Sequence, residues 1–275
     1  MKRLLLASGC FAGLMAGTAL AADLPTLKSP SFEPPSQAYS WTGFYVGLNA
    51  GTGMADYTGG LSGFSAGLSP AVTAGTVPAA LTVGPDGPIA GAGLGYRWQT
   101  GAFVIGAETD FQGSLLNGGT TTTLPAAGGF FSTTTNASER LLWFGTARAR
   151  AGYLVAPNIL LYGTGGLAYG EARESYYLAS TGGLPAGTFG GSTNATRFGW
   201  TAGAGAEWKM TENISFTTEY LRVDLGTSTL TAPGLTGAGL GSVISYRFHD
   251  AYNIFRGGLN YQFDLFGAAP AVAKY

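Results

Sequence analysis

The chain has 275 residues, 14 of them basic and 15 acidic, and only 11% of the total carry charge. A net charge of −1 without a basic run excludes a nucleic-acid-binding surface, and so little charge excludes an ordinary soluble exterior. Cysteine and histidine occur once each, which excludes a disulfide framework and a His/Cys metal cluster; no cofactor is expected.

The first element is a leader. Lys2 and Arg3 precede an apolar run from Leu4 to about Ala16, and Ala19-Leu20-Ala21 supplies small residues for cleavage after Ala21. The run is too short and too rich in Gly and Ala for a spanning helix. Residues 1–21 therefore read as a signal peptide that exports the chain, and Cys10 falls inside it. Residues 22–40 carry Pro25, Pro30, Pro34 and Pro35 among polar side chains and read as a flexible periplasmic linker.

Eight segments with a period of two follow, each about 10 to 13 residues long. They are 41–51 (WTGFYVGLNAG), 89–99 (IAGAGLGYRWQ), 102–112 (AFVIGAETDFQ), 143–153 (WFGTARARAGY), 159–170 (ILLYGTGGLAYG), 197–209 (RFGWTAGAGAEWK), 214–225 (ISFTTEYLRVDL) and 252–263 (YNIFRGGLNYQF). The fifth is apolar on both parities, so its register stays open, and the seventh loses its alternation near Arg222. Connections around Thr100-Gly101, Ala156-Pro157-Asn158 and Thr211-Glu212 are short. Those at about 56–88, 112–138, 171–196 and 226–250 are long and rich in Gly, Thr, Ser, Ala and Pro.

No stretch after the leader reaches the ~18 consecutive apolar residues of a membrane helix. Strict alternation of long and short connections puts both ends of the strand array and every short turn on one side, and the four long loops on the other. This predicts an all-β, eight-stranded antiparallel up-and-down transmembrane β-barrel over residues 41–263, with short periplasmic turns and long extracellular loops. Residues 264–275 are then a periplasmic tail.

Orientation follows from what the two faces carry. One parity holds Trp98, Trp143, Trp200 and Trp208 near strand ends, joined by Tyr261 and Phe263; these form the expected aromatic girdle against lipid. Trp41 also lies at a strand end but on the opposite parity. The second parity is glycine punctuated by charge, which suits the narrow interior of an eight-stranded barrel. The lumen candidates are Arg97, Glu108, Asp110, Arg148, Arg150, Glu207, Glu219 and Arg256, with Arg197 and Lys209 on the same face. Buried charges of both signs must pair. Glu108 and Asp110 can reach Arg148 and Arg150 on the neighbouring strand, and Glu219 can reach Arg256, so a salt-bridge plug is expected. A gate that opens by switching partners is the alternative. The reversed arrangement, a soluble barrel with a cavity lined by rings and alanines, would leave an exterior made largely of glycine.

Other chemistry finds little support. His249 and Asp250 lie near Ser242 and Ser245, but this spacing secures neither a Ser–His pair nor an axial haem ligand. The Gly-x-Gly strings recur every second residue inside strands, which excludes a dinucleotide loop. Asn136-Ala137-Ser138 and Asn194-Ala195-Thr196 match a glycosylation triplet that carries no weight in a bacterial exporter.

WTGFYVGLNAG after a leader ending ALAAD, together with the closing NIFRGGLNYQF, resembles the RopB-like family of small alphaproteobacterial outer-membrane barrels. Its members are often labelled outer-membrane immunogenic protein or porin family protein. The resemblance covers essentially the whole mature chain and implies eight strands, the cell outer membrane and a structural or surface-antigen role without catalytic residues. One departure is the end of the chain: such barrels commonly stop on an aromatic residue read by the assembly machinery, and here DLFGAAPAVAKY follows Phe263. Phe263 is then an internal assembly signal. The implied function is structural, with a narrow porin-like channel as the alternative. The expected partners are outer-membrane lipid and lipopolysaccharide, the assembly machinery and a second copy of the chain.

Overall fold

Residues 39–55, 57–125, 132–181, 187–237 and 239–263 are described in a computed structural model of the chain. The expected signal peptide with its cleavage at Ala21, nearly all of the Pro-rich linker and the tail at 264–275 lie outside them. In chain order the elements are β1 (Gly43–Met54), β2 (Tyr57–Phe64), a 3-10 turn (Ala66–Leu68), α1 (Ser69–Thr73), β3 (Ala80–Val83), β4 (Asp86–Thr100), β5 (Phe103–Ser114) and β6 (Asn117–Pro125). They continue with β7 (Ser132–Ala156), β8 (Ile159–Thr181), β9 (Gly187–Lys209), β10 (Ile214–Gly237) and β11 (Val243–Phe263).

Eight of these strands close a ring in the order β1, β4, β5, β7, β8, β9, β10, β11. Every neighbouring pair is antiparallel, and β11 returns to β1 from Phe44↔Phe263 to Met54↔Asn253. Closure pairs every strand with two neighbours across the membrane-spanning part of the ring, which is what lets strands cross hydrocarbon; above it, β9 and β10 part between Asp224↔Trp200 and Gly234↔Phe189. The short turns fall at Gly101-Ala102, Pro157-Asn158 and 210–213. Gly101 adopts φ 61°, a left-handed conformation natural to glycine in so tight a turn.

The four long connections are present, but most of the residues read as loop are strand. β7 to β10 run 23 to 25 residues each, about twice the expected length. β7 and β8 stay paired out to Ser132↔Thr181, and β8 and β9 to Ser180↔Gly187. β6 adds to the outer part of β7 from Asn117↔Arg140 to Pro125↔Ser132, and β2 pairs β11 near Ile244↔Phe64. The Thr and Ser content that suggested loop suits a pleated, solvated sheet equally well, because β-branched residues favour strands.

The interior has two levels. In the lower half, toward the short turns, it is polar. In the upper half it is apolar, built around Leu141, Phe144, Leu178, Phe189, Tyr246 and Ile254. Leu68, Ala71, Val77 and Leu81 from the first long connection close it from above. The polar interior read from the membrane-crossing segments thus gives way to an apolar one beyond the membrane. There the outer wall meets water, and the hydrophobic effect drives apolar side chains inward as in a soluble sheet. This explains the lost alternation near Arg222: Leu221 and Val223 are buried inside, while Arg222 points out and donates to Asn253 Oδ1 at 3.1 Å. The register left open for β8 is also settled. Leu160, Tyr162, Thr164 and Ala168 face in, and Leu161 and Leu167 face out.

Candidate functional site: the plugged lumen

Glycine and charge share one parity in β4, β5, β7, β9 and β11, so the strands deliver charges to the axis with little bulk beside them. Arg148 on β7 is the hub. It pairs with Glu108 at 2.7 Å and Asp110 at 2.9 Å from the adjacent β5, and with Glu219 of β10 at 3.0 Å. Arg256 of β11 reaches Asp110 at 2.8 Å and Glu219 at 2.6 Å. Arg150 contacts Glu207 at 2.6 Å and Glu108 at 3.6 Å. Arg97 also pairs with Glu207, which further accepts from the Ser215 hydroxyl. Four guanidinium groups therefore meet four carboxylates, none of whose side chains is more than 10% exposed. Every one of the eight lumen candidates lies in this network. The neighbouring-strand pairs named from the sequence are present, but the contacts from Arg97 to Glu207 and from Arg148 to Glu219 span the barrel.

Two tyrosines complete the plug. Tyr45 donates to Glu108 Oε2 at 2.6 Å, and Tyr162 donates to Glu219 Oε1 at 3.2 Å. The guanidinium of Arg150 lies 3.3 Å from the Tyr162 ring centroid. Room for these rings comes from glycine: a Cβ on Gly205 would stand 2.4 Å from the Tyr162 hydroxyl, and one on Gly95 would stand 2.6 Å from that of Tyr45. The remaining cavity among these groups is about 50 Å³, space for a few waters.

Trp41 closes the mouth on the short-turn side. It is fully buried and donates its indole N–H to Pro157 O at 3.1 Å. Arg97 and Lys209 each lie 5.3 Å from its ring. Lys209 donates to Glu212 O at 3.1 Å and to Ser40 O, so it serves the mouth rather than the ion-pair network. Sequence reasoning missed Trp41, Tyr45 and Tyr162 as plug residues. The first two carried a signal, since both are large rings on the glycine-and-charge parity. Tyr162 sat in the segment whose parity was unreadable.

A second buried ionic cluster lies above the first, among apolar neighbours. Arg197, a lumen candidate, is here: it pairs with Glu174 at 2.7 Å and with Asp250. Glu139 accepts from the Tyr252 hydroxyl in the same cluster. Two carboxylates thus take the one guanidinium while Glu139 is left to the tyrosine, and burial pushes the Glu139 carboxyl up to about 8. Glu174 fell in a stretch read as loop and Glu139 between the loop at 112–138 and the strand at 143–153, which hid them.

On the outside, Trp98 is 56% exposed, and Trp200, Trp208, Tyr261 and Phe263 are exposed with it. Trp143 is half-buried because it stacks on Phe111 at 5.4 Å and gives its indole N–H to Glu171 at 2.9 Å. An upper belt of rings runs through Phe111, Trp143, Tyr169 and Phe198 with centroid steps of 5.4 to 6.4 Å. A lower belt includes Phe44–Tyr96 at 4.7 Å and Phe103–Tyr153 at 5.3 Å. Phe198 and Trp208 are ten residues apart on β9, which at ~3.3 Å per residue and a tilt of ~40° separates the belts by about 25 Å. That is the height of an outer-membrane apolar band.

His249 finds Asp224 Oδ2 at 3.1 Å, while the Ser245 hydroxyl pairs with Thr231 at 3.2 Å. These contacts assemble no serine–histidine couple.

A family model, outer membrane protein beta-barrel domain, matches residues 10–263. The chain is 36% identical to the 31 kDa outer-membrane immunogenic protein of Brucella melitensis, over 96% of this chain and all of that one. It is 30% identical to a 22 kDa outer membrane protein of Rhizobium leguminosarum, over 70% of this chain and 67% of the relative. Among solved structures, that of OprG from Pseudomonas aeruginosa covers 81% of this chain and 96% of its own, with a TM-score of 0.44 at 12% identity. A closed eight-strand ring, two belts of rings, the family model and the Brucella relative agree: the chain belongs to the outer membrane protein β-barrel domain family and is an outer-membrane protein akin to the outer-membrane immunogenic proteins of Brucella.

Proposed function

We propose that this barrel is a structural protein of the outer membrane, a closed staple across the bilayer that holds a tall β-extension at the cell surface. The observation that carries this reading is the plug. Four arginines and four carboxylates cross-link the lumen, with Trp41 beneath and an apolar core above, so a solute would have to break buried ion pairs to pass. An aqueous channel generally needs about twice as many strands. In this reading the protein performs no catalysis. Its partners are outer-membrane lipid, lipopolysaccharide included, the assembly machinery during insertion, and a second copy through its lipid face. The surface display of the extension fits the antigenic role in the Brucella relatives' name.

Single-channel recording of the purified protein in planar bilayers tests the proposal. The expected record holds at most small, brief events. Steady large openings would instead establish a narrow porin-like channel.

A further inference from the structure

We propose that the outer wall just above the upper belt binds a phosphorylated glycolipid of the outer leaflet, with Arg140 and Arg173 gripping its phosphate. Arg140 on β7 and Arg173 on β8 are direct cross-strand partners, and both point outward and are exposed. Like charges in that position repel. Yet neither guanidinium has an ion-pair partner among the described residues. Glu171, the outward carboxylate one row lower, is occupied by the Trp143 indole. Asn117 and Asn194 flank the arginines in the same row, on β6 and β9.

Depth identifies the anion as membrane-borne. Arg173 is four residues beyond Tyr169 of the upper belt, which places it roughly 10 Å above the rings, at the level of headgroups. Two planar forks side by side match a phosphate, which each can hold bidentately. The chemistry of the rows above identifies the rest of the headgroup. Ser138, Ser175 and Ser192 form the next outward row across three strands. Above them Asn136 faces Tyr177, whose ring is 46% exposed. Hydroxyl and amide groups beside an exposed ring suit a saccharide, and the outward carboxylate of the arginine row, Asp86, stands beyond Asn117, two strands away from Arg140. A sugar carrying phosphate, anchored by acyl chains that lie along the belt, satisfies every row at once. The inference rests on the membrane orientation used for the structural reading. The two remain separable, because conductance reads the plug and lipid retention reads the arginines.

The test is lipid binding by the purified full chain in detergent, followed by native mass spectrometry and by titration. The probes are bisphosphorylated lipid A, its dephosphorylated form and phosphatidylglycerol. Wild type should retain bisphosphorylated lipid A in preference to both others. R140Q/R173Q should weaken it at least tenfold, R140K/R173K by an intermediate factor because the forks are lost, and R247Q, exposed on β11, by less than twofold. Far-UV circular dichroism should stay unchanged in all three variants, and the unfolding midpoint should not fall in any of them. Wild-type affinity in R140Q/R173Q, or equal retention of the dephosphorylated lipid, would overturn the site. Equal retention of phosphatidylglycerol would overturn the saccharide assignment.

Discussion

Arg97 on β4 and Glu207 on β9 form an ion pair although their strands stand half the ring apart. The contact ties opposite walls of the barrel together, and Arg150 joins it from β7 at 2.6 Å. Such a tie does more than fill space, since it resists any ovalisation that would open a path along the axis.

Truncating the shared anion should be costly. Glu207→Ala leaves the Arg97 and Arg150 guanidinium groups buried without their main counter-ion, and removing one partner of a buried pair typically costs ~3–5 kcal/mol. Urea unfolding of the reconstituted barrel, followed by tryptophan fluorescence, should show a lower midpoint for this variant. A midpoint equal to wild type would mean that the lumen is wet enough to hydrate both cations.

Ala204 faces lipid between Trp200 and Trp208, near the middle of the apolar band. Ala204→Arg should therefore destabilise the inserted barrel by about 2–4 kcal/mol. Ser192→Arg, on the same face of β9 but above the belt, should cost close to nothing. Comparable losses at the two positions, measured by urea titration in lipid vesicles, would show that the band is misplaced.

The glycine at 205 is needed for packing. Gly205→Val drives a side chain against the Tyr162 hydroxyl and Thr218 O, which a bare Cβ would already approach to 2.4 and 2.5 Å. Overpacking of this kind costs ~1–3 kcal/mol. Tyr162→Ala should lower the unfolding midpoint less in the Gly205→Val background than in wild type, because there it also removes one of the two clashes. Strict additivity of the two substitutions would disprove the contact.

Stability should fall as pH rises through neutrality, because of Glu139. This group lies above the upper belt, outside the apolar band. It faces Glu174 from β8, Arg197 from β9 and Tyr252 from β11, and Asp250 of β11 pairs with that same Arg197. Burial raises its carboxyl from 4.5 to about 8, the charge on Glu174 adding to the rise while Tyr252 and Arg197 oppose it. The folded state thus binds the proton more tightly than the unfolded one. The favourable contribution is complete below the unfolded value near 4.5, erodes between there and about 8, and is gone above that. Guanidinium midpoints taken from pH 5 to 9 should decline for wild type by an amount worth roughly a few kcal/mol. Glu139→Gln should flatten the profile across this window; an unchanged slope would place the titration elsewhere.

Much of this barrel was legible in the chain because a strand repeats every second residue and a membrane imposes opposite demands on its two faces. Phe198, Trp200 and Trp208 alternating with Arg197, Gly205 and Glu207 specify strand, inside and outside together. Neighbouring pairs such as Glu108 with Arg148 follow from strand order alone. The long connections misled because Thr, Ser and Gly serve solvated strands and loops alike. Arg222 marks where the rule changes: outside the membrane the exterior becomes polar, so Leu221 and Val223 turn inward.

Taken by itself, the sequence determined the number of strands in the ring, the orientation of the faces and the membrane, since each depends on local periodicity and on the thickness of the apolar layer. Only the tertiary structure decided which charges meet across the axis, how far the strands rise above the belt, and that Arg140 stands beside Arg173. Those relationships come from ring closure and register, which join residues that no local pattern connects.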